Sequence, residues 1–379
     1  MKSRRSFLSG IGTLALAPFL TACGDNEADL RVYFLQNSLP PMLIDQFKKK
    51  ISKSVSFKAI SQIKDIRQLL NKNSGQQDKQ WQLPFLSSKP QVIDLLSMGD
   101  YYLAECIVQK TIQPLEIESL SDWQKLPGKF QELVRRNTKG MPDPKGAIWA
   151  APYRWGVTAI AYDEDKLEAA GIKVPEDWSD LWRDEYRDRL ALVDQPREVI
   201  GLVLKSLGYS YNTKNLDQVP ELKNTLARLQ RNVKFYSSTD YLDSLASGDS
   251  YVVVGWSNEL LSMQNSYRKL KIVIPKSGTA LWSDLWVKSS KALAHSELIN
   301  QLIDFCWQSK SVNEISLFTL GSSPMIYGSR RNELVKDVRD NPLINIDENI
   351  FNRSEFLLPL PAESLKLYDL FWRNMRSGR

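Results

Sequence analysis

The chain has 379 residues, of which 42% are hydrophobic, 10% aromatic and 25% charged; this is an ordinary soluble composition, and the length suggests two or three domains. With 18 Gly, 18 Pro and 3 Cys it is neither collagen-like, disordered nor a disulfide scaffold, and its single histidine, His295, excludes His-Cys metal clusters and argues against a histidine-based triad. Lys2, Arg4 and Arg5 supply half of the net charge of +6, and the remaining excess is too weak to argue for a nucleic-acid partner.

Taken in order, the chain opens on an address. Residues 2–5 are basic, 7–20 are mostly apolar, and Leu20-Thr21-Ala22-Cys23 follows. A basic start, a short apolar stretch and a small-residue cleavage site make a secretory signal, too short to span a bilayer. Ser3-Arg4-Arg5-Ser6-Phe7-Leu8 resembles the twin-arginine export signal, and Leu20-Thr21-Ala22-Cys23 resembles a bacterial lipobox. The resemblance implies an export signal over 1–22, cleavage before Cys23, a lipid on its thiol and a polar tether over 23–29. A plain cleaved signal with Cys23 incidental is the simpler alternative. The expectation is an exported, membrane-tethered and otherwise soluble protein.

Beyond the tether the periodicities alternate. Strands are expected at 31–35, 55–60 and 91–97, and helices at 41–49, around 63–70 and at 101–109, the first opened by Pro40-Pro41. This βαβαβα order argues for an α/β chain with a doubly wound, largely parallel sheet. A Gly/Pro/Asp loop at 137–146 closes the unit. A second unit is expected from a strand at 155–162, a helix from 163 to 171, a strand at 190–193, helices at 196–207 and 216–230, and strands at 251–255 and 270–275. Helices at 296–308 and 362–375 end the chain. Cys106 and Cys306 fall on apolar helix faces and read as buried small hydrophobes; a disulfide between them has no support in the sequence.

Local signatures of catalysis are missing: there is no Gly-x-Ser-x-Gly, no phosphate-cradling glycine loop, no paired-histidine spacing. No cofactor and no metal is expected. What stands out is where aromatics and acids fall at strand ends, the place where open α/β sheets bind ligands. Asp194 follows the strand at 190–193, Glu198 lies in the first turn of the next helix, and Trp256 ends the strand at 251–255. Trp282 and Asp284, two apart, point to one side of a strand. An indole face beside a carboxylate, with a second indole and acid near it, suits an organic cation: the ring quadrupole and methylene packing hold an alkylammonium while the acid meets its charge. Simpler readings stand beside this one. Asp194 suits a helix cap before Pro196, Glu198 suits a helix N-terminus without any ligand, and Trp256 suits the core. An acid between Trp282 and Trp286 is harder to explain as core.

With those residues in view, the chain resembles the bacterial spermidine/putrescine-binding proteins, solute receptors of ABC importers. The resemblance runs over nearly all of the mature chain. It is carried by Leu39-Pro40-Pro41-Met42-Leu43-Ile44-Asp45-Gln46-Phe47, Pro152-Tyr153-Arg154-Trp155-Gly156-Val157-Thr158-Ala159-Ile160, Trp178-Ser179-Asp180-Leu181-Trp182, Arg197-Glu198-Val199, Leu207-Gly208-Tyr209-Ser210, Trp282-Ser283-Asp284 and Met375-Arg376-Ser377-Gly378-Arg379. It implies a two-lobed, type II periplasmic binding protein with a multi-crossing hinge. One lobe would comprise 30–153 and 286–345, the other 154–285 and 346–379. It further implies that Trp256, Trp282, Asp284 and Glu198 sandwich and pair an amine, that Tyr101 adds an aromatic, and that Trp155 lies at a hinge. Three departures thin the cage: Leu35, Gln36 and Ser38 replace an aromatic-rich stretch, Gln195 replaces an acid, and Ser322 replaces a tyrosine.

The function this implies is a monomeric, lipid-anchored periplasmic receptor that captures a polyamine by lobe closure and passes it to importer membrane subunits. A receptor for an amino acid, a sugar or ferric iron is an alternative, the last because of Tyr33, Tyr101, Tyr102, Tyr153 and Tyr162. A carboxylate-dependent hydrolase using Glu198 is another, and a scaffold lipoprotein with a dead cleft a third.

Overall fold

A computed structural model describes residues 28–61, 69–70, 92–327 and 331–378. Arg4, Arg5, Cys23 and most of the helix expected at 63–70 lie outside the described residues.

The first three strands, β1 (Leu30–Leu35), β2 (Val55–Ile60) and β3 (Leu95–Gly99), pair in parallel with β1 in the middle. Helix α1 (Pro41–Lys50) has proline in its first turn and buries Leu43 and Phe47. Strand β3 sits later than expected, so that its last residue delivers Asp100 to the carboxyl end of this strand. The helix expected at 101–109 splits into a 3-10 turn at Asp100–Tyr102 and α2 (Leu103–Val108). Strand β4 (Ala151–Asp163) is buried along its whole length.

The second unit supplies β5 (Leu190–Leu192), α3 (Pro196–Ser206), α4 (Leu222–Asn232), β6 (Val233–Tyr236), α5 (Tyr241–Ser247), β7 (Val252–Trp256), α6 (Ser257–Ser266) and β8 (Leu270–Val273). The long helix expected at 216–230 is interrupted, because Pro220 separates a 3-10 turn at Leu216–Gln218 from α4. Strand β9 (Ala280–Ser289) follows, then α7 (Ser296–Trp307), α8 (Ser309–Thr319) and the tail helix α9 (Ala362–Ser377).

The sheet runs β2-β1-β3-β9-β4-β7-β5-β6, with β8 on the far part of β4. Each flank is parallel, whereas the long central strands β4 and β9 are antiparallel to each other and to their outer neighbours. These two strands therefore belong to both halves. Two hydrophobic cores flank them: Leu30, Leu95, Trp155 and Trp286 pack in the first, and Trp178, Leu192, Leu204 and Tyr368 in the second. Past the lobe return expected at 346, Phe351 and Phe356 still pack in the first core, and Leu360 begins the second. Cys106 and Cys306 are buried as thiols. Among the described residues no helix is long and apolar enough to cross a membrane.

Candidate functional site

Strand β4 sets the geometry. Residues 154, 156 and 158 alternate onto one face, and residues 154 and 158 lie about 13 Å apart along the strand. Across the ladder Arg154 pairs with Asp284, Gly156 with Trp282 and Thr158 with Trp256. Residues remote in sequence thus become a row. Gly156 has a defined purpose here: a Cβ on it would lie 2.4 Å from Cζ2 of Trp282, so only glycine lets the indole lie flat on the strand. The Trp282 Nε1 is buried and meets no hydrogen-bond partner among the described residues.

At one end of the row, Arg154 Nε and Nη2 donate to Oδ2 of Asp284 at 2.8 and 2.5 Å. The guanidinium carbon stands 5.6 Å from the Trp282 ring centre, and both charged residues are 7% exposed. Burial opposes the Arg154 charge, and Asp284, with Tyr153 and Glu259, more than offsets this, so the guanidinium is held more firmly protonated than usual. The backbone N–H of Ser283 donates to Oδ1 of Asp100 at 3.2 Å. Burial, reinforced by the neighbouring Asp284 carboxylate, pushes the Asp100 carboxyl up to about 7.

At the other end stands Glu198, in the first turn of α3. Thr158 Oγ1 donates to its Oε2 at 2.7 Å, and Trp256 Nε1 to its Oε1 at 3.4 Å. Burial raises the Glu198 pKa, and the two donors and Arg197 offset this only in part. The Arg197 guanidinium spends its hydrogen bonds on Leu358 O, Tyr211 O and Asn212 Oδ1. Tyr241, itself fully buried, donates to Glu259 at 2.6 Å and meets Trp256 edge-on at 6.4 Å. A cavity of about 1000 Å³ opens on the Arg154 end, lined among others by Gln36, Asn37, Asp243, Glu259, Met263 and Phe318.

The structure therefore brings Trp256, Trp282, Asp284 and Glu198 onto one face. Tyr101 lies just beyond, 65% exposed, its ring edge-to-face with Tyr102 at 5.4 Å. Asp194 goes elsewhere: it is half-exposed, and its Oδ1 accepts from Arg376 Nη1 at 2.9 Å. Nor does Asp194 cap α3, whose N-cap is Gln195 with no side-chain cap bond. Trp155, on the opposite face of β4, exchanges both backbone hydrogen bonds with Ser322, at 2.8 and 2.7 Å. Two participants carried no sufficient signal in the sequence: Asp100 needs the true end of β3, and Thr158 needs the neighbouring strand. Glu259 had one, being an acid in the first helical turn after a strand, as Glu198 is. Arg154 was visible as a repelling charge close to the hinge segment, but its pairing with Asp284 needs the register.

The carboxylates here accept hydrogen bonds from neutral donors or pair with an arginine, and no group of three or more His, Cys, Asp or Glu among the described residues is arranged to hold a metal ion. Tyr153, one of the tyrosines considered for iron, donates its hydroxyl to Ser38 Oγ at 2.8 Å. Burial raises its pKa, against the phenolate that iron would need.

Comparison with known proteins agrees with the geometry. The model of a family described as bacterial extracellular solute-binding protein matches residues 90–353. The spermidine/putrescine-binding periplasmic protein of Escherichia coli K12 is 24% identical over 379 residues, covering 100% of both chains. The putrescine-binding periplasmic protein PotF of the same organism is 29% identical over 213 residues, covering 52% of this chain and 56% of that one. Among solved structures, the spermidine/putrescine ABC transporter substrate-binding protein PotD of Streptococcus pneumoniae superposes with a TM-score of 0.76 at 20% identity, covering 92% of this chain and 98% of that one. The Tp0655 lipoprotein of Treponema pallidum superposes with a TM-score of 0.68 at 19% identity, covering 92% and 99%. The fold is the two-lobed one of type II periplasmic binding proteins, and the matching family is one of solute-binding proteins, which sets aside the hydrolase alternative. By its family match, which takes in most of the chain, the protein belongs to the bacterial extracellular solute-binding proteins.

Proposed function

We propose that this chain is the periplasmic receptor of an ABC importer and captures a small cationic amine of the putrescine/spermidine type. The observation that carries the reading is the row on β4: two indoles and two carboxylates on one face, at the hinge strands shared by both halves of the sheet. The curated relatives that match end to end are named for spermidine and putrescine, which supports the same class. The alkyl chain of such a ligand packs against Trp282 and Trp256, and an ammonium meets Glu198. Trp256 and Glu198 come from the second unit, Tyr101 from the first. Only a closed form engages both, so ligand shifts the population toward closure, the shape that importer membrane subunits would read.

Titration calorimetry of ligand-stripped protein with putrescine and spermidine tests this reading. Saturable heat with thermal stabilisation is expected, and its absence for both amines would remove the amine reading. The protein is further proposed to be a monomer anchored by a lipid on Cys23. Cys23→Ser should then move the folded protein from the membrane fraction to the soluble periplasm, and an unmodified protein that is already soluble would refute the anchor.

A further inference from the structure

We infer that Arg154 is a specificity-determining residue: its guanidinium holds the place of one ligand ammonium between Asp284 and Trp282, so that the cleft favours a diamine over a triamine. The inference rests on the amine reading above and deepens it.

The combination that makes an ammonium site, a carboxylate with an indole face beside it, is complete at Asp284 and Trp282. A side chain of the same protein already fills it. Arg154 places two donors on one Asp284 oxygen and its charge 5.6 Å from the indole centre. A planar, weakly hydrated guanidinium suits this position better than a ligand amine, and being tethered it loses no translational freedom on entering. Its approach is built into the backbone. Leu320 takes a left-handed φ of 54° at the end of α8, and Gly321 follows under the arginine, where a Cβ would lie 3.1 Å from Cγ of Arg154. A larger residue there would push the arginine stem off this line.

The charge balance of the cleft follows. Arg154 and Asp284 cancel. Glu198 accepts from a hydroxyl and an indole, and Glu259 from a phenol, so among the described residues these two acids have no arginine or lysine hydrogen-bonded to them. Glu198 and Glu259 can meet two ammonium groups; the other acids near the Arg154 end are Asp100, whose carboxyl burial pushes up to about 7, and the exposed Asp243 on the cavity wall. A third ammonium would have to settle beside the Arg154 guanidinium in a water-poor site, or expel it from Asp284 and leave a buried cation unpaired; both oppose binding.

The test compares putrescine and spermidine by calorimetry on ligand-stripped wild type, Arg154→Met and Arg154→Gln. Methionine removes charge and donors. Glutamine removes the charge yet can still donate to Asp284, so the fold is protected from an unpaired buried carboxylate. Wild type should bind putrescine at least as tightly as spermidine, and both variants should shift the affinity ratio toward spermidine by about tenfold or more. In Arg154→Met, spermidine should also raise the melting temperature more than it does in wild type, because its ammonium then supplies the partner that Asp284 lost. A ratio unchanged within about twofold in both variants, with amine binding intact, overturns the role of Arg154 alone. No amine binding by wild type or either variant overturns the amine reading and this inference with it.

Discussion

The two acids at the ends of the β4 row make an instructive pair. Asp284 and Glu198 are equally buried, at 7% exposure each, and each lies beside a tryptophan. Their electrostatic situations are opposite. Asp284 has its own cation, held by a two-pronged hydrogen bond, whereas Glu198 has, among the described residues, only a hydroxyl and an indole N–H as donors, and burial lifts its pKa. One end of the row is neutralised by a side chain of the protein itself; the other is held by neutral donors. An acid next to a tryptophan therefore does not by itself define an ammonium site. What else reaches the acid decides it.

The largest effect should come from breaking the satisfied end. Asp284→Asn leaves Arg154 buried without its counterion, and this should cost stability by roughly 3–5 kcal/mol, read by urea unfolding. Glu198→Gln should do the reverse: the fold should hold or gain slightly, while amine affinity falls by about 2–3 kcal/mol because a desolvated ammonium loses its acceptor. If the two variants proved equally destabilised, or if Asp284→Asn were neutral to folding, the contrast between the ends would be false.

How far the sequence foretold this contrast depends on the range of the interaction. The alternation of strands and helices was legible, because a period of two or of 3.6 is a local property; the strand at 55–60 and the proline-led helices α1 and α3 are examples. Trp282 and Asp284 on one face followed from a spacing of two. The partner of Asp284 did not, since Arg154 lies 130 residues away and meets it only through the antiparallel register of the two central strands. Asp100 escaped notice because β3 ends two residues beyond the apolar run that suggested it. Helix α8 was not anticipated at all; its buried face uses Ser311, Asn313, Ser316 and Thr319 besides Val312 and Ile315, which blurs the apolar stripe. Asp194 was read as the residue after a strand that in fact ends at Leu192, and its arginine comes from the last helix of the chain.

A gentler change sharpens the Glu198 end. Trp256→Phe keeps an aromatic face for the ligand and removes the indole donor to Glu198. Affinity should fall by about 1.5 kcal/mol, the net worth of one hydrogen bond to a charged group at the low end of its range. A loss as large as that of Glu198→Gln would mean that Trp256 does more than orient the carboxylate.

The pH dependence of stability distinguishes the ends without touching either acid. Asp100 stands beside Asp284, and burial and that carboxylate carry it from an ordinary 3.8 up to about 7. The folded state then binds a proton that the unfolded state has released, so the stability due to this group is full below about pH 4 and is lost as the pH rises through about 7. Asp100→Asn should flatten that slope: the melting temperature of wild type, relative to the variant, should fall between pH 5 and pH 8. A difference that does not change with pH would place Asp100 in a wetter, less acidic neighbourhood than the Asp284 end provides.

Asp194 should show the smallest effect, and it is the control for both ends. It was a candidate acid on the same grounds as Glu198, yet its carboxylate is half-exposed and bound to Arg376, whose guanidinium also lies 4.8 Å from the Tyr236 ring centre and 5.3 Å from that of Trp372. An ion pair in that setting is screened by water and contributes at most about 1 kcal/mol. The aromatic contacts of Arg376 survive its loss. Asp194→Asn should therefore change stability by less than Trp256→Phe changes binding, and leave the affinity for putrescine and spermidine where it was. A fall in amine affinity would show that closure of the lobes pulls Asp194 away from Arg376 and into the cleft. The third acid for a third ammonium would then be this one, and the preference assigned to Arg154 would have to be read against it.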